Sequence, residues 1–552
     1  MDATKSHSSN DGPLSPTPKR PRLEGIPTGV SAGRQVTVND KKTPSFLDLS
    51  DLTHSMIISC LGFREITRLA KVCRYLHHLI KKDKALERAW YRRFPSPHQY
   101  QLKTIFAAKD DQQLGDWLKP FANKGTVKSL VKKRNNAYFP ALFLFTNSKQ
   151  MARCETFKPV TKTKIKHLDD VNTANFSADS RHFATASLDN TVRICNQKTN
   201  GSWKKKAIIN HYNWVVSATF SVDGRHLVTA SRDHTAKICG RADDGSWEVK
   251  KTIFHNRRVN SATFSANGHR LVTTSEDCTA KICAQADDGS WEEEAIIHHY
   301  AVADWASFSS DGSHLLVCGD NDVAIYGQQA NGLWEVKATI THTLTVFSAT
   351  FSADGRHVVT ASGDKTAKIL SLRTSGSWEE IATISHDNAV YSANFSADGL
   401  YLVTTSQDNT AKIHGLQSDG SWREEITIQH EGAVITATFS ADGCHVVTAS
   451  ADNTSKIYGL RADGSWVEKL TITHDDWVLS ASFSADGCLV VTASCDKTAK
   501  IYGLGSSGSW VEKATIQHKC AVTSANFSMD SRHVVTASKD KTARITELVK
   551  SD

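Results

Sequence analysis

The chain has no run of about 18 apolar residues, the length a helix needs to cross a bilayer. Met1 is followed by DATKSHSSNDGPLSPTPKRPR, which is too polar for a secretory signal. A soluble intracellular protein with no membrane partner is therefore expected. The 12 cysteines show no paired spacing, and Cys60, Cys73 and Cys154 form no CxxC, which argues against a disulfide framework and against zinc. GxSxG, P-loop and HExxH patterns are absent, and no separated Cys and His pairing stands out. No enzymatic activity, cofactor or metal is expected.

What is present is long and unevenly charged. At 552 residues the chain exceeds one ordinary hydrophobic core, so several domains are expected. Residues 1–150 hold 26 Lys and Arg against 12 Asp and Glu, a net of +14, which leaves −6 for residues 151–552 out of the total of +8. Such asymmetry suggests modules with different partners. Residues 1–45 are rich in Ser, Pro, Gly and Lys and are expected to be a disordered tail. Within them PKRPR at 18–22 is a basic cluster of the nuclear-import type, and Thr17-Pro18-Lys19-Arg20 resembles a proline-directed kinase site. Nuclear targeting competes there with a merely solvated tail.

The second two-thirds repeats one phrase, seen in FSADGRHVVTASGDKTAKI at 351–369. Its phenylalanine recurs as Phe176, Phe220, Phe264, Phe308, Phe351, Phe395, Phe439, Phe483 and Phe527, with seven intervals of 44 residues and one of 43. A histidine precedes each by nine positions, from His167 to His518. Four short strands read within one period, VFSATFS, RHVVTAS, TAKILSL and WEEIATIS, separated by the turn signals ADG, GDKT and TSGS. Four strands per 40–45 residues is the blade of a β-propeller. Nine core phrases but only eight GSW or GLW fourth strands are present. TKTKIKH at 161–167 can supply the missing strand and latch the ring, so nine blades are predicted, with eight as the fallback. The histidines lie in different blades and cannot converge on one metal ion.

The period resembles that of WD-repeat propellers. In that family a His, a Ser or Thr on the second strand and a turn Asp form a buried hydrogen-bonded set. The matching residues of the fifth copy would be His342, Ser362 or Thr360, and Asp364, and the Asp recurs from Asp189 through Asp320 to Asp540. The chain departs from the family where the third strand should end in Trp-Asp, reading Cys239-Gly240, His414-Gly415 or Tyr502-Gly503. The set thereby loses its fourth member. Blade four is irregular too: Asp304 and Trp305 replace the usual small or apolar pair, and one residue is lost near Cys318.

Residues 46–94 carry apolar positions at helical spacing, Met56, Ile57 and Leu61, then Ile66, Leu69, Val72, Cys73, Leu76 and Leu79, with a third short helix at Leu86, Ala89 and Trp90. The stretch resembles an F-box, through Leu49 and Leu52, Ile57 and Leu61, the L-x-x-V-C-R of Leu69 to Arg74, and Trp90; Ser50 stands where that family usually has proline. The resemblance implies docking on the adaptor subunit, and through it the cullin, of a ubiquitin ligase. Leu49, Leu52, Met56, Ile57, Leu61, Leu69, Val72 and Trp90 are the candidate adaptor-binding residues.

The expected architecture is thus multidomain: tail 1–45, small all-α F-box 46–95, helical linker 96–156 and all-β propeller 157–552. Copies that agree so well make their disagreements visible, and these cluster after each His and before each turn Asp. In WD-repeat propellers those loops share one rim. Tyr212, Trp214, Arg232, Arg257, Arg258, Glu276, Gln407, Asp476, Trp477 and Lys539 are the candidate target-binding residues. The resemblance implies a substrate-recognition subunit of an SCF-type ubiquitin ligase, nuclear or cytoplasmic, in a host cell if the source is a microbe. A protein-interaction scaffold unconnected with ubiquitin is the alternative. Nucleic acid is not an expected partner, because basic and aromatic residues are not interleaved on a platform.

Overall fold

The repeats fold at the period the sequence sets. The computed structural model describes Ile58, Ile66 and residues 69–71, 74–82, 84–91, 110–118, 124–135, 139–198, 201–242, 244–461, 463–505 and 507–550. Over these residues nine four-stranded antiparallel sheets follow one another, so the nine-blade expectation holds. Blade five consists of Val346–Phe351, His357–Ser362, Thr366–Leu372 and Trp378–Ser385, the stretches read from the sequence. Its second strand, HVVTAS, is buried almost throughout because blades cover both its faces, whereas the outer strand is largely exposed. Between the first two strands the Ser352 hydroxyl donates to Asp354, and Asp354 accepts the Arg356 amide at 3.0 Å. Gly355 there has φ +70°, a left-handed turn that glycine adopts at little cost.

Neighbouring blades are joined by aromatic packing and by side chains that reach the next inner strand. The Trp378 ring lies 6.1 Å from Phe351 of its own blade and 5.6 Å, edge-on, from His314 of the preceding one. Asn394 Nδ2 donates to the Ala437 carbonyl at 3.1 Å, and the Thr438 hydroxyl to that of Ala481 at 3.3 Å. Contacts of both kinds also cross the junction between the last blade and the first. Trp203 packs on His533 at 6.0 Å, and the Thr523 hydroxyl donates to the Val171 carbonyl at 3.3 Å. Blade nine is completed by the strand Phe157–Lys166, which pairs with Thr542–Lys550 from Lys166 opposite Thr542 to Phe157 opposite Lys550. The latch is longer than the 161–167 read from the sequence, and it closes the ring.

Five helices precede it among the described residues: α1 (Arg74–Lys82), α2 (Ala85–Tyr91), α3 (Asp111–Leu118), α4 (Lys124–Val131) and α5 (Phe139–Arg153). Leu79 and Ile80 of α1 and Ala85 and Ala89 of α2 form a small core with Ile58 and Ile66, against which Leu69 and Leu86 pack. Helix α2 also packs on α5, where Tyr91 joins Phe139, Leu142 and Phe143. The apolar FPALFLF at 139–145 lies within the span expected to be helical. It builds α5, with Pro140 in the first turn, where its missing N–H has no helical partner to lose.

Candidate functional site

Strand order gives the ring two different ends. Within a blade the chain leaves the His loop, runs down the inner strand to the Asp-Gly turn, returns up the second strand to the turn Asp, and descends the third to the GSW turn. All His loops and turn Asps therefore share one end, and all Asp-Gly and GSW turns the other.

At the second end sits α5. Phe143 and its neighbours pack against Ala441 and Met529, both in turns that follow inner strands. The buried Ser148 hydroxyl donates to the buried Asp486 carboxylate at 2.8 Å. Met151 enters the core of blades eight and nine, and Lys513, 2% exposed, donates from Nζ to the Cys154 carbonyl. One continuous run of packing thus leads from the small helical core through α2 and α5 to the underside of the ring, and no helix among the described residues packs on the His-loop end.

That uncovered end is held by eight nearly identical hydrogen-bonded sets. In blade five His342 Nε2 lies 2.8 Å from Thr360 Oγ1, and Nδ1 lies 2.8 Å from Asp364 Oδ2. Of the two hydroxyls left open by the sequence, Thr360 is the partner; Ser362 instead donates to the Leu344 carbonyl at 2.9 Å. Burial would raise the Asp364 carboxyl, but hydrogen bonds from Thr366, His342 and the Thr343 amide outweigh it and hold it at about 2. Burial keeps His342 below its ordinary range. The pair is therefore a carboxylate and a neutral imidazole, in which Nδ1–H donates to Asp364 and Nε2 accepts from Thr360. Thr366, which opens the third strand, donates to Asp364 at 2.6 Å and adds a hydroxyl to the set, while Leu370 stands where the tryptophan was expected.

Blade four breaks the rule and corrects the expectation that all nine histidines and aspartates serve the scaffold alike. Val317 stands where the others have threonine, and one residue is missing before Asp320. The His299 ring lies over Gly319, where a Cβ would come within 2.5 Å of its Cε1. His299 Nε2 is buried without a hydrogen-bond partner, 3.8 Å from Asp322 Oδ2. Asp320 has turned to the next blade and accepts the Thr345 hydroxyl at 3.3 Å.

Of the loop residues singled out from the sequence, Tyr212 is 93% exposed and Trp477 54%. Trp214 is covered by the Arg232 guanidinium at 4.7 Å from its ring centre, a cation–π pair. Arg258 faces Glu276 at 3.6 Å, and Arg257 is exposed beside it. Asp476 accepts the Trp477 amide at 2.8 Å and the Ser494 hydroxyl through its carbonyl. Gln407 and Lys539 are exposed at the same end, on blades six and nine. The structure thus joins Trp214 with Arg232 and Arg258 with Glu276, and spreads the rest over other sectors. Of the adaptor candidates, Leu49, Leu52, Met56, Ile57, Leu61 and Val72 lie outside the described residues, as does the 1–45 tail; Leu69 packs on the small core, and Trp90 belongs to α2.

The loops are not all of this end. Each inner strand except that of blade four carries a β-bulge at its second residue, as the break between Val346 and Ser348 shows. A bulge re-aims one side chain and leaves it outside the ladder. Four of these residues are Phe347, Tyr391, Ile435 and Leu479, an unbroken apolar arc over blades five to eight. Asn172, Asn260 and Thr523 occupy the place on blades one, three and nine and donate to the next blade, and Val216 stands alone between two of them on blade two. Sequence reading passed over this position because it lies inside a strand. The signal was nevertheless there, since near-identical copies vary at it freely.

A ring of nine four-stranded blades is the architecture of a β-propeller. The WD domain, G-beta repeat family matches at residues 158–196, 203–239, 247–283, 334–371, 378–414, 423–459, 466–503 and 510–546, and the F-box domain family at 46–88. The chain belongs to the WD-repeat family and carries an F-box ahead of its repeats. The stretch skipped between 283 and 334 holds the outer strand of blade three and the first three strands of blade four, whose buried set is broken. No curated protein matches the chain. Among solved structures it is similar to Sqt1 of Saccharomyces cerevisiae, at 12% identity and TM-score 0.50 over 71% of this chain and 100% of that one. Sqt1 of Chaetomium thermophilum matches at 14% identity and TM-score 0.49 over 71% of this chain and 98% of that one. At these identities the likeness is one of fold.

Proposed function

We propose that this chain is the substrate-recognition subunit of an SCF-type ubiquitin ligase. The F-box would engage the adaptor and through it the cullin, and the His-loop end of the propeller would hold the protein to be modified. The observation that carries this reading is the run of packing through α2 and α5, which fastens the F-box core to one end of the ring and leaves the other open. Transfer to a lysine of a held target requires a fixed separation between machinery and cargo, and a helix buried at both ends provides one. On this reading the chain does no chemistry itself, takes no cofactor, and works in the nucleus or cytoplasm.

Two measurements test it. Pulldown with the ligase adaptor should lose the chain when Leu52, Ile57, Leu61 and Leu69 are all changed to alanine; retention would favour a scaffold unconnected with ubiquitin. Proximity labelling should lose partners in the triple variant Trp214→Ala, Arg258→Ala, Trp477→Ala. An unchanged partner set would place the target elsewhere than these loops.

A further inference from the structure

The bulge position separates the central channel into two sectors at the His-loop end. Where it holds Asn or Thr, the side chain is spent on the neighbouring strand: Asn172 bonds Val215 at 3.2 Å, Asn260 bonds Ala303 at 3.2 Å, and Thr523 bonds Val171. Phe347, Ile435 and Leu479 have no polar atom for such a bond, and the Tyr391 ring packs on Phe347. Phe347 and Tyr391 meet edge to face at 5.7 Å, and Phe347 remains 46% exposed. Leu344, 55% exposed, continues the arc outward: Gly363 has no side chain, and a Cβ there would touch both Leu344 and Phe347 at 3.5 Å. Phe347 is exposed and Tyr391, Ile435 and Leu479 are partly exposed, outside the buried blade cores, and apolar side chains gathered in this way mark a surface for another molecule.

At one end of the arc the next position is Asp304. It is half-buried, and its hydrogen bond is a long one from Asn260 Nδ2 at 3.4 Å. Burial raises its carboxyl, and Asp320 and Glu276 raise it further by repulsion against a weaker opposing pull from His299. Asp320 is tied by Thr345 to the loop that bears Leu344, so the acidic group adjoins the apolar one. Glu276 is engaged by Arg258, whereas no salt bridge joins a lysine or arginine to Asp304 or Asp320 among the described residues. A half-buried carboxylate pressed by like charges favours a cation brought in from outside.

We propose that the channel mouth takes an extended target segment in which a large apolar side chain stands next to lysine or arginine, the first against Phe347, Tyr391, Ile435 and Leu479, the second against Asp304 and Asp320. The proposal rests on the substrate-receptor reading and specifies the chemistry its open end selects. The segment contributes the apolar anchor and the charge, and the bulged strands contribute a surface already in place before binding.

The test uses the full chain and four fluorescein-labelled nonapeptides read by fluorescence anisotropy. One has leucine and phenylalanine flanked by lysine and arginine; in the others glutamate replaces the basic residues, phosphoserine replaces them, or serine replaces the apolar pair. The first should bind at least tenfold more tightly than each of the rest. Asp304→Asn with Asp320→Asn should weaken it about fivefold, and Phe347→Ser with Tyr391→Ser about tenfold, at unchanged melting temperature, while Glu248→Gln on an outer strand leaves it as it was. Equal or tighter binding of the acidic or phosphoserine peptide, no binding of the first, or indifference to both double variants would overturn the proposal. Proximity labelling separates this failure from that of the receptor reading. Partners kept by both double variants but lost by the triple loop variant would sink the channel-mouth proposal alone, whereas loss of adaptor capture as well as of any loop dependence would sink the receptor.

Discussion

In blade five His342 is held between Thr360 and Asp364; in blade four His299 has Val317 and Asp322 near it, and Asp320 has swung to the following blade. One deleted residue and two changed side chains separate the two. Blade four nevertheless keeps its four strands and its place in the ring. Packing across blade faces is therefore sufficient for the architecture, and the hydrogen-bonded sets add stability blade by blade. Where the set is absent, the freed acidic groups come to the open end.

Breaking a set should have the largest effect. Thr360→Val in blade five leaves His342 Nε2 buried and unpaired, as Val317 leaves His299, and should lower stability by about 2 kcal/mol in urea denaturation, because the stranded partner bears the full desolvation penalty. Asp320→Ala in blade four should cost less than about 0.5 kcal/mol, since its one bond is to an exposed threonine loop. Equal costs would mean that the set matters no more than any loop contact.

Acid should sharpen the contrast. Seven of the set histidines titrate below the ordinary value of 6.5, mainly through burial, as His518 does at about 4. The folded state then binds fewer protons than the unfolded one, so stability is fully present above about pH 6.5 and is lost as pH falls from there toward 4. Below that, protonation of the set aspartates, whose carboxyls are held low, removes more. Urea midpoints should be level from pH 7 to 8 and fall steadily below 6.5. A midpoint unchanged down to pH 4 would contradict the neutral imidazoles.

Repair should act in the opposite direction with a smaller size. Val317→Thr with Asp322→Thr offers blade four the two hydroxyls it lacks and should raise the melting temperature by an amount corresponding to about 1 kcal/mol. If the missing residue matters more than the missing hydroxyls, no gain will appear. The anchoring of α5 gives a further comparison: Ser148→Ala removes the bond to Asp486 Oδ2, while Oδ1 keeps those from Ser484 and Cys488, and should cost about 1 kcal/mol, seen as faster amide exchange in α5 while the blades stay protected. The smallest effect belongs to Lys365, left-handed at φ +73°, where Lys365→Gly should gain up to about 1 kcal/mol in a thermal melt.

Much of this was legible in the sequence because a repeat states its pattern nine times. The blade count, the four strands of blade five and the N-terminal latch follow from spacing and from the deficit of one fourth strand. The threonine that adds a hydroxyl to each set was not read from the sequence, since a search for Trp-Asp looks at the end of the third strand and Thr366 lies at its start. The apolar arc was overlooked because Phe347 or Ile435 inside a strand reads as core until a bulge is seen to turn it outward.

The sequence by itself determined the period, the alternation of buried and exposed positions, and the turn chemistry of Asp354 and Gly355, all of which act between residues close in the chain. Only the tertiary structure decided that α5 seats on the turns of blades seven to nine, that His299 lacks a partner, and that Asp304, Asp320 and Phe347 adjoin. Those relations depend on packing one blade against the next and α5 against the turns beneath, which brings together residues from tens to several hundred positions apart by contacts that no local pattern encodes.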